Sequence, residues 1–386
     1  MITSAHALGG GETLRADLAV VGAGPAGIVV ALEAASHGFD VLLLESGEEK
    51  VNRAAQDLAE AAEWDASLHS PLALTNRRQL GGTSVIWGGR CVPYDEVDFD
   101  RRAFLGDGEW PVTYQQLLPY FQRACDWLVC GRAVFEASEM KHLPASIVPG
   151  LTDGEVRVST MERWSLPTNF GREYRAALRR SRRVRVVTGL TCTKVIWDSE
   201  RQRAERLECH NLAGRRVSVD CRGYVLACGG LDTTRLLLAS PGPSGRAPGD
   251  YSGHLGAYYI GHVEGVIANV RFTTPPKSTI FGYERDTDGT YVRRRFSISR
   301  DAQLERELPN VAAWLANPEL ADPRHRSGTL SFAYLALRSP LGRIAAPDAQ
   351  RLALSGEDVP GSPYGGAEKG PIGAHLRNLV LDAGGT

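Results

Sequence analysis

Asp17-Leu18-Ala19-Val20-Val21-Gly22-Ala23-Gly24-Pro25-Ala26-Gly27 is a short apolar run that halts on glycine and passes into G-x-G-x-x-G. The run reads as a buried strand. Pro25 to His37 is Ala-rich with apolar residues at helical spacing, and Gly38 ends it. Asp40-Val41-Leu42-Leu43-Leu44-Glu45 reads as a second buried strand, completing a parallel strand–helix–strand unit. In such a unit Gly22 makes the tight turn, Gly24 lets the backbone approach a pyrophosphate, and Gly27 lets the helix pack closely on the strand. The helix start then aims N–H groups at phosphates. Glu45 ends the second strand where an acidic residue accepts from an adenosine ribose, and its charge disfavours a 2′-phosphate. These residues by themselves leave NAD and FAD both open.

The chain's 386 residues suffice for two regions with sizeable cores. Its 43% hydrophobic and 23% charged residues are those of a soluble globular protein. Lys+Arg at 44 against Asp+Glu at 45 argues against wholesale binding to nucleic acid or anionic membrane. The basic run Arg179-Arg180-Ser181-Arg182-Arg183 reads as a solvated helix end before a strand. Seven cysteines, at 91, 125, 130, 192, 209, 221 and 228, include no CxxC pair, so no metal site or redox pair is expected. The pattern fits a reducing compartment, and a cytoplasmic protein is expected. Met1 to Arg15 lacks the apolar core of a secretory signal, and no uninterrupted apolar run approaches a membrane span.

Further along, Glu48 to Glu63 is charged and Ala-rich and predicts an exposed helix. Val112 to Leu128 predicts a helix with Leu117, Leu118, Phe121, Ala124, Trp127 and Leu128 on one face. Val184 to Asp220 alternates β-branched and polar residues, which predicts an antiparallel meander. Gly223 to Cys228 predicts a return to a buried strand, followed by a helix over Leu231 to Ala239. Val266 to Phe272 and Tyr291 to Ser299 predict strands of a second sheet, and Ala302 to Leu308 a short helix.

Leu80-Gly81-Gly82-Thr83-Ser84-Val85-Ile86-Trp87-Gly88-Gly89 resembles the second flavin-contacting signature of glucose–methanol–choline (GMC) oxidoreductases. Asp98-Phe99-Asp100, Gly108-Glu109-Trp110-Pro111-Val112 and Leu117-Leu118-Pro119-Tyr120-Phe121 follow in that family's order. Leu226-Ala227-Cys228-Gly229-Gly230 through Arg235-Leu236-Leu237 resembles its return strand and helix. The four motifs span residues 17–262.

The resemblance implies FAD as cofactor, with adenosine and pyrophosphate at Gly22, Gly24, Gly27 and Glu45. It places Gly81, Gly82, Thr83 and Ser84 near the pyrophosphate or flavin, and Cys192 or Val195 near adenine. It implies that a small alcohol or sugar loses its hydroxyl proton to a base and a hydride to flavin N5, with the electron acceptor unassigned. No histidine lies between Gly81 and Arg90 for covalent flavin attachment there. An NAD-dependent reductase is disfavoured by the Gly81–Gly89 signature.

The expected fold is α/β, an FAD/NAD(P)-binding Rossmann-like domain with a second, β-rich substrate domain. The expected boundaries are 13–135 and 184–262 for the FAD domain, 136–183 for a connecting excursion, and 263–386 for an incomplete substrate domain. Gly365 to Thr386 matches neither the family's catalytic histidine motif, with its neighbouring histidine or asparagine, nor its closing segment. The expectation is a truncated product or a lineage without its catalytic tail, with impaired activity. A catalytically silent flavin-binding protein is the alternative. No catalytic residue is assigned: His262 and His375 read as ordinary structural or exposed histidines.

Overall fold

A computed structural model describes residues 1–382 apart from 61, 62, 64, 66–68, 70, 71, 107, 109, 145, 167, 199–202, 243, 244, 248, 262–264, 269, 271–277, 281, 317–319, 341 and 343–370. The chain forms two compact units. One is built chiefly from Met1–Trp87 and Asn169–Gly265, the other chiefly from Gly88–Thr168 and Val266–Gly356.

The first unit is a seven-stranded sheet. Its strands are β1 (Ile2–Ser4), β2 (Thr13–Val21), β3 (Val41–Leu44), β7 (Val184–Thr188), β8 (Thr191–Asp198), β9 (Arg203–His210) and β10 (Arg216–Leu226). They lie in the order β1-β7-β3-β2-β10-β9-β8. Pairing is parallel from β1 through β10 and antiparallel across β10, β9 and β8. All four residues of β3 are buried, as a parallel strand covered on both faces requires. Ala19, Val21, Leu42, Leu44, Val187, Leu207 and Val219 share one apolar core. The strands ending at Val21, Leu44 and Leu226 therefore lie in one parallel sheet, and the fold is the expected Rossmann-like α/β.

Several local expectations change. Val184–Thr188 is not the start of a meander; it pairs in parallel with β3 and β1. Val184, Val186, Val187 and Thr188 are buried, so the apparent alternation belongs to an interior strand. The antiparallel part comprises β8, β9 and β10. Of the helix expected over Glu48 to Glu63, the described residues hold one turn at Arg53–Gln56 and a 3-10 turn at Asp57–Ala59. Glu48 is drawn out of helical structure: its backbone bridges to Gln79, and its carboxylate accepts from Ser4 Oγ at 3.3 Å and Thr188 Oγ1 at 2.8 Å.

In the second unit, β4 (Arg90–Cys91), β6 (Met161–Trp164), β11 (Tyr283–Arg285) and β12 (Tyr291–Arg294) form a sheet ordered β11-β12-β6-β4. The strands β5 (Val156–Arg157), β13 (Phe296–Ile298) and β14 (Ala312–Ala313) form another, ordered β14-β13-β5. The predicted strand over Tyr291 to Ser299 thus divides between two sheets. The break is at Arg295, whose N–H donates to Thr160 O at 3.0 Å. Residues 266–268 and 270 carry no strand, and the rest of the strand predicted to end at Phe272 lies outside the described residues. The short helix falls at Arg300–Glu305, set by Ser299 as N-cap.

The helix Tyr114–Leu128 starts at a capping box formed by Thr113 and Gln116. Its fully buried position is Cys125, four residues after Phe121, whereas Leu118 is exposed. The helices Gly328–Arg338 and Ile372–Leu381 pack on each other. Between them His375 is fully buried, its ring stacked on Tyr334 at 4.2 Å. Its Nε2 faces the carbonyl oxygen of Ala321 at 3.1 Å and its Nδ1 faces Ser331 Oγ at 3.1 Å. Both ring nitrogens of His375 are thus engaged within the described residues, and His262 lies outside them. Among the described residues no helix is long and apolar enough to cross a membrane.

Candidate functional site

The fingerprint loop joins β2 to the helix Pro25–Ser36 at the carboxyl ends of the parallel strands, where open α/β sheets bind ligands. Gly22 turns with φ +97°, and a β-carbon there would lie 2.6 Å from Ala227 O. A β-carbon on Gly27 would run into the carbonyl oxygen of Gly22, so the helix packs against its own entry loop. Gly24 differs: its backbone is extended, and a β-carbon would meet nothing closer than Gly82 Cα at 3.9 Å. Gly24 caps the helix without a side-chain hydrogen bond, leaving the first-turn N–H groups to be satisfied by something other than a cap.

Glu45 is buried behind this loop. Its Oε2 accepts from Ala23 N at 2.9 Å and its Oε1 from Gly47 N at 2.8 Å. Burial pushes its carboxyl above the usual carboxylate range, against the pull of those two N–H groups and of Arg78. Each oxygen retains a second lone pair for a further donor. Arg78, which sequence reading passed over, bridges three segments: Nη1 donates to Ser46 Oγ at 3.1 Å and Nη2 to Asp232 Oδ1 at 2.6 Å. Asp232 stands in the first turn of the helix Gly230–Leu238. Arg78 Nε is buried with no hydrogen-bond partner among the described residues. The one signal for Arg78 in the sequence is its place two residues before Leu80.

The second glycine loop meets the first. Gly81 N donates to Ala23 O at 2.8 Å. Gly82, at φ +55°, approaches so closely that a β-carbon on it would lie 2.8 Å from Gly24 Cα. Thr83 is exposed at the start of the 3-10 turn Gly82–Val85. Ser84 is buried and acts inward: its Oγ donates to Gly81 O at 2.6 Å and accepts from Phe170 N at 3.0 Å. Asn169, another residue that sequence reading passed over, lies beside Gly81, with Oδ1 3.2 Å from where a Gly81 β-carbon would stand.

Cys192 and Val195 sit on β8 beyond β9, packed into the same core as Val21, Leu226, Cys228 and Leu236. Val195 N donates to Ser240 Oγ at 2.9 Å, and Cys192 stands opposite Cys209 on β9. The loop residues from Gly22 to Ser84 converge in one unit, with Cys192 and Val195 two strands away from β2's neighbour β10. No group of His, Cys, Asp or Glu among the described residues is arranged to hold a metal ion.

A family model described as an NAD(P)-binding Rossmann-like domain matches residues 20–50. The chain is 26% identical over 288 residues to paromamine 6'-oxidase of Streptomyces fradiae, covering 62% of this chain and 52% of that one. It is 30% identical over 120 residues to 6'''-hydroxyparomomycin C oxidase of Streptomyces lividus, covering 28% and 21% respectively. The chain thus spans about half the length of one of these relatives and about a fifth of the other. Among solved structures, pyridoxine 4-oxidase from Mesorbium loti matches with a TM-score of 0.37 at 21% identity, covering 58% of this chain and 52% of that one. A fungal aryl-alcohol oxidase matches with a TM-score of 0.39 at 17% identity, covering 58% and 48%. Both Streptomyces relatives are oxidases by name, and the family model covers the fingerprint glycines and Glu45.

Proposed function

We propose that this chain binds FAD and oxidises the CH–OH group of a small alcohol or sugar. The reading rests above all on the seating of Gly82 against Gly24, which joins a dinucleotide fingerprint to the loop that resembles the GMC flavin signature. The residues fit the cofactor: a β-carbon on Gly24 would meet only ordinary contact, at Gly82 Cα 3.9 Å away, and the uncapped helix start offers N–H groups to a pyrophosphate. In this reading Gly22, Gly24 and Gly27 shape the phosphate turn, and Glu45 receives the ribose hydroxyls on its remaining lone pairs. Gly81, Gly82, Thr83 and Ser84 line or brace the loop toward the flavin, and Cys192 and Val195 border the adenine end. FAD, when bound, supplies a two-electron hydride acceptor. The protein's part is to orient the ring system, exclude water, and take the hydroxyl proton through a base that is left unassigned.

The two Streptomyces relatives are by name oxidases of paromamine and of 6'''-hydroxyparomomycin C, which favours a hydroxyl-bearing small molecule as donor. We assign the first unit to the cofactor and the second to the substrate. Seven free cysteines suit a reducing, cytoplasmic setting. The test is the absorption spectrum of the purified protein, followed by anaerobic titration with aminosugars and primary alcohols. A flavin band that bleaches saturably with one of them is the expected result. A stable flavin that no alcohol reduces would favour the silent flavin-binding alternative. Tight NAD binding without flavin would overturn the reading.

A further inference from the structure

The basic run at residues 179–183 divides in the fold. Arg179 and Arg180 close the helix Arg175–Arg180, with Ser181 as its C-cap. Arg182 and Arg183 lie beyond it, at the amino ends of the parallel strands and away from Gly22 and Gly24 at their carboxyl ends. There they line a cleft of about 420 Å³ together with Arg15, Asp17, Asp40 and Arg185.

Strand register brings these six residues together from three stretches of the first unit. Leu18 is matched to Val41 and Val41 to Val184, so Asp17, Asp40 and Arg183 stand side by side one step earlier. Alternate residues of a strand share a face, so Arg15 joins Asp17 and Arg185 joins Arg183. Backbone bonds fix the floor. Asp17 N and Leu18 N donate to Asp40 O at 3.0 and 3.1 Å, Asp40 N to Asp17 Oδ2 at 2.9 Å, and Val41 N to Arg183 O at 2.7 Å.

The charges do not balance, since four arginines face two aspartates. Arg183 Nη1 donates to Asp40 Oδ1 at 3.0 Å, and Asp17 Oδ1 accepts from Arg222, outside the cleft, at 3.5 Å. Arg185 Nη2 donates to the backbone oxygen of Arg15, and Arg15 Nε lies 3.4 Å from Asp220. Arg182 is exposed and makes no ion pair among the described residues. The Arg183–Asp40 pair is more than half exposed on both sides, and such pairs contribute little to stability. Stability therefore gives no reason to gather four like charges, whose mutual repulsion an anion relieves. Guanidinium forks match phosphate oxygens two at a time.

We propose that this cleft binds a small phosphorylated molecule, its phosphate or pyrophosphate group seated among Arg15, Arg182, Arg183 and Arg185. The volume is in the range of small-molecule sites. It is a second anion site, at the opposite end of the sheet from the fingerprint loop, and it does not depend on the flavin reading.

The test is calorimetric titration with inorganic pyrophosphate at low ionic strength, on protein saturated with FAD so that the fingerprint loop is filled. The same titration on Gly24→Ala separates the two ends of the sheet even where no flavin binds. One saturable site, unchanged in Gly24→Ala, is the expected result. Arg182→Ala removes no ion pair and should weaken binding about tenfold. Arg182→Ala with Arg183→Ala should abolish it. Arg180→Ala removes the same charge from outside the cleft and should stay within about twofold of wild type. Equal weakening by Arg180→Ala and Arg182→Ala would reduce the effect to diffuse charge and overturn the proposal. So would binding lost in Gly24→Ala but kept in Arg182→Ala, or no saturable binding at all. A single-stranded oligonucleotide that displaces pyrophosphate at lower concentration would assign the cleft to nucleic acid and equally overturn it.

Discussion

Glu45 anchors Ala23 through a buried hydrogen bond, Oε2 accepting from the backbone N–H at 2.9 Å, while its other oxygen takes the N–H of Gly47. The carboxylate is thus a strut for the fingerprint loop before any ligand arrives. Glu45→Ala strands both N–H groups, each worth about 1–3 kcal/mol when left unsatisfied. Urea unfolding should show a loss on the order of 3 kcal/mol. Burial raises the folded carboxyl above its ordinary value of 4.5, so the folded state keeps a proton that the unfolded state has released. Wild-type stability should therefore fall, relative to Glu45→Gln, as pH rises from about 4.5 through the folded value. A flat difference across that range would contradict the linkage.

The glycines of the fingerprint separate folding from binding. Gly24→Ala meets only ordinary contact at 3.9 Å in an extended backbone, so stability should change by no more than about 0.5 kcal/mol. The added methyl points into the space read as the pyrophosphate approach, and FAD affinity should drop at least tenfold, about 1.4 kcal/mol. Gly27→Ala collides with the Gly22 carbonyl and should cost about 1–3 kcal/mol of stability through overpacking. Thermal melts with and without FAD distinguish the two; equal destabilisation by both would refute the division.

In the second unit Asp286 accepts from Arg163 Nη2 at 2.8 Å and from Arg132 Nη2 at 2.8 Å. Burial pushes its carboxyl up, but the two guanidinium groups and the Thr287 N–H outweigh it and hold the value at about 2. The folded value lies below the unfolded one, so this contribution is full above about pH 4 and is lost as pH falls toward 2. Asp286→Asn should cost roughly 3 kcal/mol at neutral pH by leaving Arg163 with Asp288 as its remaining carboxylate. It should also flatten the acid limb of the stability–pH curve between pH 4 and 2, measured by denaturant unfolding at each pH.

Ser84 carries a further expectation. Its hydroxyl both donates to Gly81 O and accepts from Phe170 N in a buried position. Ser84→Ala should lower stability by about 1–3 kcal/mol, because the Phe170 N–H loses its acceptor. Ser84→Thr retains the hydroxyl and should recover part of that loss. Chemical unfolding of the pair against wild type is the measurement.

The strand–helix–strand unit was legible because its signals are local: an apolar run, a glycine turn, proline at the helix start and a second apolar run. Val184–Thr188 misled for the opposite reason. Five residues with one exposed Arg185 imitate alternation, and their burial on both faces depends on β1 and β3, distant in sequence. Glu48 looked helical by composition but is held by Ser4, Thr188 and Gln79, none of them near in sequence. Arg78 and Asn169 carry no motif; only folding sets them beside Asp232 and Gly81. Within the glycine loop the Ser84 hydroxyl turns inward and donates to Gly81 O, a role that sequence composition does not mark.

The central strand β2 has β3 on one side and β10 on the other, and Val21 is matched to Leu44 and to Leu226. The first partner is translated almost at once; the second follows about 180 residues later, which at 5–20 residues per second takes roughly ten to forty seconds. During that interval one long side of an apolar strand has no neighbour to bond. Nascent chains arrested before Arg216 should stay protease-sensitive across residues 13–44, and chains carried well past Leu226 should resist. A chain whose middle strand is completed from its distant downstream sequence has a biosynthetic window in which chaperone capture, rather than intrinsic folding speed, governs yield.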